Sequence, residues 1–187
     1  MEENQMELFQ VSKYLDVEHT IAKYMFDPVE NPWEVLPSIS IFIEQLGPML
    51  PSEEFEQRGS NVWISKSAVI APTAYIGGPC IIDAGTEVRH CAFIRGSAII
   101  GKNCVIGNST EVKNSIIFDE VQIPHYNYVG DSILGFRSHL GAGAITSNVK
   151  NDKSNVEVNF ALGKMDTKLR KFGAIVRDFP RSAVTAF

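Results

Sequence analysis

Large aliphatic residues recur at every sixth position through the middle of the chain, beginning at Ile64. The in-phase series is Ile64, Ile70, Ile76, Ile82, Val88, Ile94, Ile100, Ile106 and Val112, followed by Phe118. Small or compact side chains, such as Ala68 and Thr86, stand two residues before most of these positions. A period of six fits neither an α-helix nor a simple hairpin meander, and it is typical of a parallel β-helix.

Each six-residue unit supplies one short strand and one corner, so that three units, about 18 residues, complete a triangular coil. The periodic aliphatic side chain fills the interior, and the small residue before it fits where the wall turns. Stacked coils cover one another's edges through backbone hydrogen bonds. We therefore predict an all-β core over residues 61–148, folded as a parallel β-helix of hexapeptide repeats.

The repeat changes register after Phe118. Ile117, Ile123 and Val129 follow a shifted phase, and Leu134 comes after a five-residue gap. We expect a bulged corner or an inserted residue at this slip. Departures from a repeat are expected where function is placed, and this one surrounds the part of the chain that is richest in histidine.

The flanking regions follow other patterns. We expect residues 1–60 to form an N-terminal helical cap and linker, because helix-length apolar groups such as Ile39–Leu46 occur there and Gly47 and Pro48 end that group. Residues 51–60 are interpreted as linker. Residues 149–187 are expected to be an extended loop or strand segment, in which Val156, Val158 and Phe160 alternate, followed by a tail that looks truncated.

Composition and charge make several classes of function less favoured for this chain. The net charge is −5, with three basic and twelve acidic residues before residue 61, so that a nucleic-acid partner is not expected. No apolar run is long enough for a membrane helix and no signal peptide is evident, so we expect no membrane association and a cytoplasmic location. Three cysteines without a CxxC pair do not indicate disulfides or a metal site, and Cys80 and Cys104 are interpreted as small buried hydrophobic residues.

Specific motifs carry a family resemblance. They are EVRHCAFIRG (87–96), GNSTEVKNS (107–115), IPHYNYVGDSILGFRSHLGAGAITSN (123–148) and RKFGAI (170–175). Through these motifs, residues 61–178 resemble the C-terminal acetyltransferase domain of the bifunctional N-acetylglucosamine-1-phosphate uridylyltransferase/glucosamine-1-phosphate acetyltransferase. They also resemble related sugar-1-phosphate nucleotidylyltransferase/acetyltransferase proteins.

The resemblance implies a left-handed coil, a homotrimer with sites between subunits, and an acetyl-CoA-dependent N-acetyltransferase acting on an amino-sugar 1-phosphate similar to glucosamine 1-phosphate. His125 matches the family's catalytic histidine, and we expect its side chain to project from the slipped corner, beside the residues that bind the sugar phosphate. Histidine titrates near neutral pH, so that it can accept the amine proton as a general base. We could assign no residue to the acetyl-CoA site.

Five further positions are expected to bind the substrate. Arg95 and Lys113 are eighteen residues apart, which stacks them on adjacent coils as a cationic phosphate clamp. Tyr128 matches a family tyrosine that contacts the sugar phosphate, and Asn148 matches an asparagine that positions the sugar. His139 stands where the family often has a substrate-binding asparagine, which suggests an altered sugar preference.

Two other readings stay open. The nucleotidylyltransferase domain of bifunctional members is absent from this sequence, and family members continue with more coils after KFGAI. The chain can therefore be read as a non-catalytic trimeric β-helix that binds a sugar phosphate without a complete acetyl-CoA site. The third reading is a γ-class carbonic anhydrase with zinc on His90, His125 and His139, although their spacing does not match that family.

Overall fold

The computed structural model describes residues 9–160 and 163–179. Short strands dominate this part of the chain. In chain order they are β1 (Phe55–Gln57), β2 (Val62–Ser65), β3 (Val69–Ile70), β4 (Tyr75–Ile76), β5 (Cys80–Ile82), β6 (Glu87–Val88), β7 (Phe93–Ile94), β8 (Ala98–Ile100), β9 (Val105–Asn108), β10 (Glu111–Lys113), β11 (Ser115–Ile117), β12 (Gln122–His125), β13 (Tyr128–Gly130), β14 (Ile133–Leu134), β15 (Glu157–Phe160), β16 (Gly163–Asp166) and β17 (Ile175–Val176).

Each strand of the coil from β2 to β11 pairs in parallel with the strand that comes three strands later in the chain, which gives a three-sided prism. Face A contains β2, β5, β8, β11, β14 and β17, face B contains β3, β6, β9 and β12, and face C contains β4, β7, β10 and β13. The six-residue period places Ile82, Ile94 and Ile106 in the interior, where each is fully buried. The predicted left-handed parallel β-helix of hexapeptide repeats is confirmed.

Residues 9–60 contain six short helices, and all but one of them are 3₁₀ helices. The α-helix α1 spans Ile39–Leu46. The 3₁₀ helices are Val11–Lys13, Val17–His19, Lys23–Met25, Pro32–Ser38 and Gly47–Met49. Strand β1 lies inside the predicted linker and pairs antiparallel with β2, so that it covers the first edge of face A.

This N-terminal segment packs against the outer surface of face A. Outward positions on that face carry a second ladder of isoleucines, and Ile81, Ile99, Ile116 and Ile133 are all fully buried. Helix α1 packs against β5 and β8. Face A is therefore apolar on both sides, as is expected of parallel strands that are covered on both surfaces.

Backbone hydrogen bonds and ring contacts tie the segment to the corner between faces A and B. The amide of Asp119 donates to the carbonyl of His19 at 2.9 Å, and that of Asp178 donates to Tyr14 at 2.9 Å. The His19 ring stacks on Phe136 with centroids 3.6 Å apart. The N-terminal segment is thus a layer of the same core.

The part after residue 148 leaves the prism and then returns to it. The alternation predicted a strand here, and strands β15 and β16 pair as an antiparallel hairpin. The Phe160 ring packs edge-on against the Phe9 ring, with centroids 5.6 Å apart. Strand β17 then adds to face A beside β14. The remainder of the expected C-terminal tail, residues 180–187, lies outside the described residues.

The cysteines behave as the sequence predicted. Cys80 and Cys104 are buried, and Cys91 is exposed. Burial raises the pKa of both the Cys80 and the Cys104 thiol to about 12. These two side chains therefore stay protonated and act as small core residues.

Candidate functional site

Arg95 and Lys113 meet at the corner between faces C and A. Strand β10 pairs in parallel with β7, with Val112 over Ile94, and the amide of Arg95 donates to the carbonyl of Val112 at 2.9 Å. This register puts Lys113 one coil above Arg95. The predicted stacking of the two cations is therefore confirmed.

The register slip falls at this same corner. Gly96 and Ser97 turn the chain between β7 and β8, whereas Asn114 alone separates Lys113 from Ser115, and Ser115 pairs with Ala98 seventeen residues earlier. Asn114 adopts φ +45° to close the shorter turn. The expected bulge or insertion is thus wrong, because the corner has lost one residue. The slip also does not lie at His125.

Asp131 is the centre of a polar cluster at the shortened corner. Its carboxylate accepts hydrogen bonds from Lys113 Nζ at 2.8 Å and from Asn114 Nδ2 at 2.8 Å. Asn148 Nδ2 donates to the same carboxylate at 2.5 Å and lies 3.1 Å from the hydroxyl of Tyr128. The Asp131 side chain is only 5% exposed. Asp131 therefore connects three of the predicted binding residues, with Lys113 and Asn148 bound to it directly and Tyr128 bound to Asn148.

Both stacked cations already have carboxylate partners. Arg95 Nη1 donates to Glu111 Oε1 at 2.8 Å, and Lys113 pairs with Asp131. The four side chains together are electrically neutral, which differs from the expected cationic clamp. Because an ammonium has three donors and a guanidinium has five, each still has N–H groups that these bonds do not use.

His125 lies at the other edge of face C, at the corner that this face shares with face B. It is the last residue of β12 and pairs with Asn108 of β9. Lys113 instead pairs with Gly130 at the end of β13. The intervening strand, at roughly 3.3 Å per residue, makes face C about 10 Å wide. The expectation that His125 lies beside the two cations at the slipped corner is therefore wrong.

Neighbouring groups fix the backbone of His125 from both sides. Its amide donates to Asn127 Oδ1 at 3.1 Å, and its carbonyl accepts from the amide of Gly143 at 3.0 Å. Buried Asn127 in turn donates from Nδ2 to the carbonyl of Gly141 at 2.6 Å. The glycine-rich turn therefore lies directly over His125. Gly143 adopts φ +75°, and no atom of the described residues lies where its side chain would begin, so that within this chain the backbone conformation alone favours glycine.

The ring of His125 has one hydrogen-bond partner that the sequence did not suggest. His125 Nδ1 lies 3.1 Å from Asn108 Oδ1. Both Asn108 and Glu111 were missed as candidates, although Asn108 stands seventeen residues before His125 and Glu111 seventeen before Tyr128. Their spacing of one coil from a predicted site residue is the sequence pattern that would have identified them.

The remaining predicted residue lies apart from the cluster. His139 is exposed on face B, where it pairs with Gln122, and thus does not reach Asp131 or Lys113.

The described residues contain neither a candidate metal centre nor a candidate membrane-spanning helix. Over residues 9–160 and 163–179, no three His, Cys, Asp or Glu side chains gather closely enough to hold a metal ion. Over the same ranges, none of the helices has the length and apolar character needed to cross a bilayer.

Known proteins match most of this chain. The model of the GMPPB C-terminal domain family matches residues 76–164. Bifunctional protein GlmU of Methanococcus maripaludis strain C5 is 38% identical over 162 residues, which is 85% of this chain and 39% of that protein. Bifunctional protein GlmU of Methanocaldococcus jannaschii is 31% identical over 161 residues, again 85% and 39%. The chain thus spans about two fifths of the length of these relatives.

Two further matches cover less of the chain. A bifunctional sugar-1-phosphate nucleotidylyltransferase/acetyltransferase of Sulfurisphaera tokodaii is 33% identical over 72 residues, 38% of this chain and 18% of that protein. The structure of the acetyltransferase domain of PglB from Neisseria gonorrhoeae FA1090 matches 45% of this chain and 48% of its own, with 16% identity and a TM-score of 0.27. The chain is therefore a hexapeptide-repeat left-handed β-helix protein that resembles bifunctional GlmU proteins over most of its length and GMPPB C-terminal domains over residues 76–164.

Proposed function

We propose that this chain is an acetyl-CoA-dependent N-acetyltransferase domain that acts on an amino-sugar 1-phosphate such as glucosamine 1-phosphate, in nucleotide-sugar metabolism. The relatives support the reaction class, since one of them is described as a sugar-1-phosphate nucleotidylyltransferase/acetyltransferase. No nucleotidyl transfer is proposed for this chain.

One observation carries the proposal. Face C has a hydrogen-bonding cluster at one edge, an exposed histidine at the other, and Tyr128 on the strand between them. An amino-sugar 1-phosphate carries its anion on C1 and its amine on the adjacent carbon C2, so that the two cationic side chains and the His125 ring must extend toward each other across Tyr128 to reach both groups. The unused N–H groups of Arg95 and Lys113 are suited to the phosphate, and His125 is suited to the amine.

The proposed reaction is a direct acyl transfer. The substrate amine attacks the thioester carbonyl of acetyl-CoA while His125 accepts its proton, so that the C–N bond forms as a tetrahedral intermediate. The C–S bond then breaks, and the thiolate of coenzyme A leaves and takes up the proton. A positioned general base contributes about 10²–10⁴-fold to the rate of such a step.

Face C is also the surface that we propose for assembly with other copies of this chain. Outward positions on face C are open in the single chain, since Tyr75 is 61% and Ile145 is 56% exposed. We assign this face to the inter-subunit sites of a homotrimer. The acetyl-CoA would then lie partly on a second copy. Cytoplasmic acetyl-CoA is the co-substrate in this scheme.

A second candidate function follows from the neutral cluster. Because Glu111 and Asp131 already neutralise Arg95 and Lys113, the corner can be a structural ion-pair network in a non-catalytic β-helix. Such a protein would bind a sugar phosphate weakly and turn over no thioester.

The two functions separate in one experiment. The purified chain is mixed with acetyl-CoA and glucosamine 1-phosphate, and the N-acetylated product is measured by mass spectrometry. This readout avoids thiol reagents, which would react with exposed Cys91. His125→Asn is compared with His90→Asn, which alters an exposed histidine at the same corner of the prism, one coil below Asn108.

We expect turnover by the wild type and by His90→Asn, and a loss of at least about a hundredfold in His125→Asn. Product formation that is equal in all three proteins would reject His125 as the base. Without turnover, calorimetric binding of glucosamine 1-phosphate that Lys113→Met abolishes would favour the non-catalytic function.

A further inference from the structure

At the corner between faces B and C, the side chain of His125 is paired with that of Asn108 on the coil below. Strands β9 and β12 are four residues long, whereas their predecessors β3 and β6 on the same face have two. The extra residues extend the ladder into the corner, so that His125 stands directly over Asn108. Gly107 permits this, because a Cβ there would lie 1.6 Å from the carbonyl oxygen of Pro124.

The geometry of this pair determines where the ring proton lies. Asn108 Oδ1 is 3.1 Å from His125 Nδ1, and an amide oxygen can only accept a hydrogen bond. With the amide in this orientation, the neutral ring carries its proton on Nδ1. The lone pair is then on Nε2, which is the nitrogen free to accept a proton.

A second histidine at the same corner provides an internal comparison. His90 Nδ1 lies 3.1 Å from Thr73 Oγ1. A hydroxyl can donate or accept, so that this contact allows either tautomer of His90. The two histidines thus have similar distances but partners of different chemistry, and only the Asn108 contact selects one tautomer.

We propose that Asn108 is a positioning residue that holds the neutral ring of His125 in the Nδ1–H tautomer, with Nε2 directed to accept the proton of the substrate amine. The assignment of the tautomer depends only on the contact between Asn108 Oδ1 and His125 Nδ1. Its catalytic consequence rests on the proposed acyl transfer. A neutral amide performs this role without adding a charge next to the base.

The test uses the full chain labelled with ¹⁵N at its four histidines. Long-range proton–nitrogen NMR spectra at alkaline pH distinguish a protonated from an unprotonated ring nitrogen, and the spectrum of His125→Asn assigns the His125 signals. The variants are Asn108→Leu, which removes the acceptor at similar size, and Asn108→Asp, which keeps an acceptor. Thr73→Val is the matched control, because it removes the partner of His90.

We expect the Nδ1–H form of His125 in the wild type, in Asn108→Asp and in Thr73→Val, and a shift toward the Nε2–H form in Asn108→Leu. In the transfer assay, kcat of Asn108→Leu should fall about tenfold to a hundredfold, with KM for the sugar phosphate little changed. Partial recovery of kcat in Asn108→Asp would separate positioning from a purely structural role.

The outcomes are distinguishable from a failure of the proposed function. An Nε2–H ring in the folded wild type, or an unchanged tautomer in folded Asn108→Leu, would overturn the proposal whatever the activity. A protein that shows the expected tautomers but transfers no acetyl group would reject the acyl-transfer function and support the assignment of Asn108. Should Asn108→Leu fail to fold, the wild-type tautomer alone decides.

Discussion

Faces A and C of the prism have the same strand spacing and the same kind of inward residue, but their outward positions differ. On face A the outward residues are isoleucines such as Ile99 and Ile116, which the N-terminal segment buries completely. On face C the equivalent positions hold Tyr75, Glu111 and Tyr128, with Tyr75 61% exposed. The inward positions build the coil, and the outward positions decide which face is packed and which is available for chemistry.

The largest expected difference between covered and open surface concerns stability. Ile99→Ala deletes a fully buried outward side chain and should lower the free energy of unfolding by about 2–5 kcal/mol. Its counterpart Val69→Ala truncates a 63% exposed side chain on open face B and should cost less than about 0.5 kcal/mol. Urea unfolding monitored by circular dichroism measures both. Equal losses would mean that the N-terminal segment does not cover face A in solution.

The second prediction compares two cations on the same corner. Lys113→Met leaves the carboxylate of Asp131, which is 5% exposed, without its charged partner. This change should cost about 1–3 kcal/mol of unfolding free energy. Arg95→Met breaks a pair in which both side chains are more exposed, 46% and 29%, and should cost less than Lys113→Met, because solvent screens an exposed ion pair. A larger loss for Arg95→Met in the same unfolding assay would contradict the central role given to Asp131.

The smallest predicted effect lies under the N-terminal segment, at the corner of faces A and B. Burial raises the pKa of Asp119 above its ordinary value, with the nearby carboxylate of Asp83 acting in the same direction. A raised folded pKa means that protonation stabilises the fold at pH below about 3.9, and that this contribution is lost as pH rises through the folded pKa. Asp119→Asn keeps an acceptor for the amide of Lys102 and removes the charge.

The stability of Asp119→Asn relative to wild type should therefore increase between pH 4 and 7, by no more than about 1 kcal/mol. Unfolding curves at several pH values test this. Asp152→Asn is the opposite control, because hydrogen bonds from Ser154 lower the pKa of Asp152, and removing that carboxyl should make the variant relatively less stable as pH rises. Parallel curves for wild type and Asp119→Asn would show that Asp119 titrates normally.

The sequence predicted the interior of this molecule better than its surface. The six-residue period needs only buried aliphatics such as Ile82 and Ile106, and short-range geometry then determines the coil. The sequence also contains a pattern that predicts the covering of face A. In four successive coils an extra isoleucine, at position 81, 99, 116 or 133, precedes the inward residue of the face A strand. Strand β1 was missed because Phe55–Gln57 is too short to show a pattern, and its pairing with β2 is long-range.

The candidate site was predicted in part. One-coil spacing was enough to place Lys113 over Arg95. It did not reveal that Glu111 and Asp131 neutralise them, because ion pairing depends on side-chain direction. The position of the missing residue also could not be read from the phase of the apolar residues, because Phe118 continues the original phase while Ile117 begins the new one, so that the shortened corner could lie before or after this pair. For this reason His125 was assigned to the wrong corner.

The most direct test of the account is whether face C binds the substrate. Amide NMR spectra of the full chain are recorded while glucosamine 1-phosphate is added. We expect shifts at Tyr128, Gly130, Asp131 and Asn148 at one edge and at His125 at the other, all with one Kd, while residues of α1 and of face A do not move. Shifts confined to the N-terminal segment, or none at millimolar ligand, would contradict the assignment of face C as the binding surface.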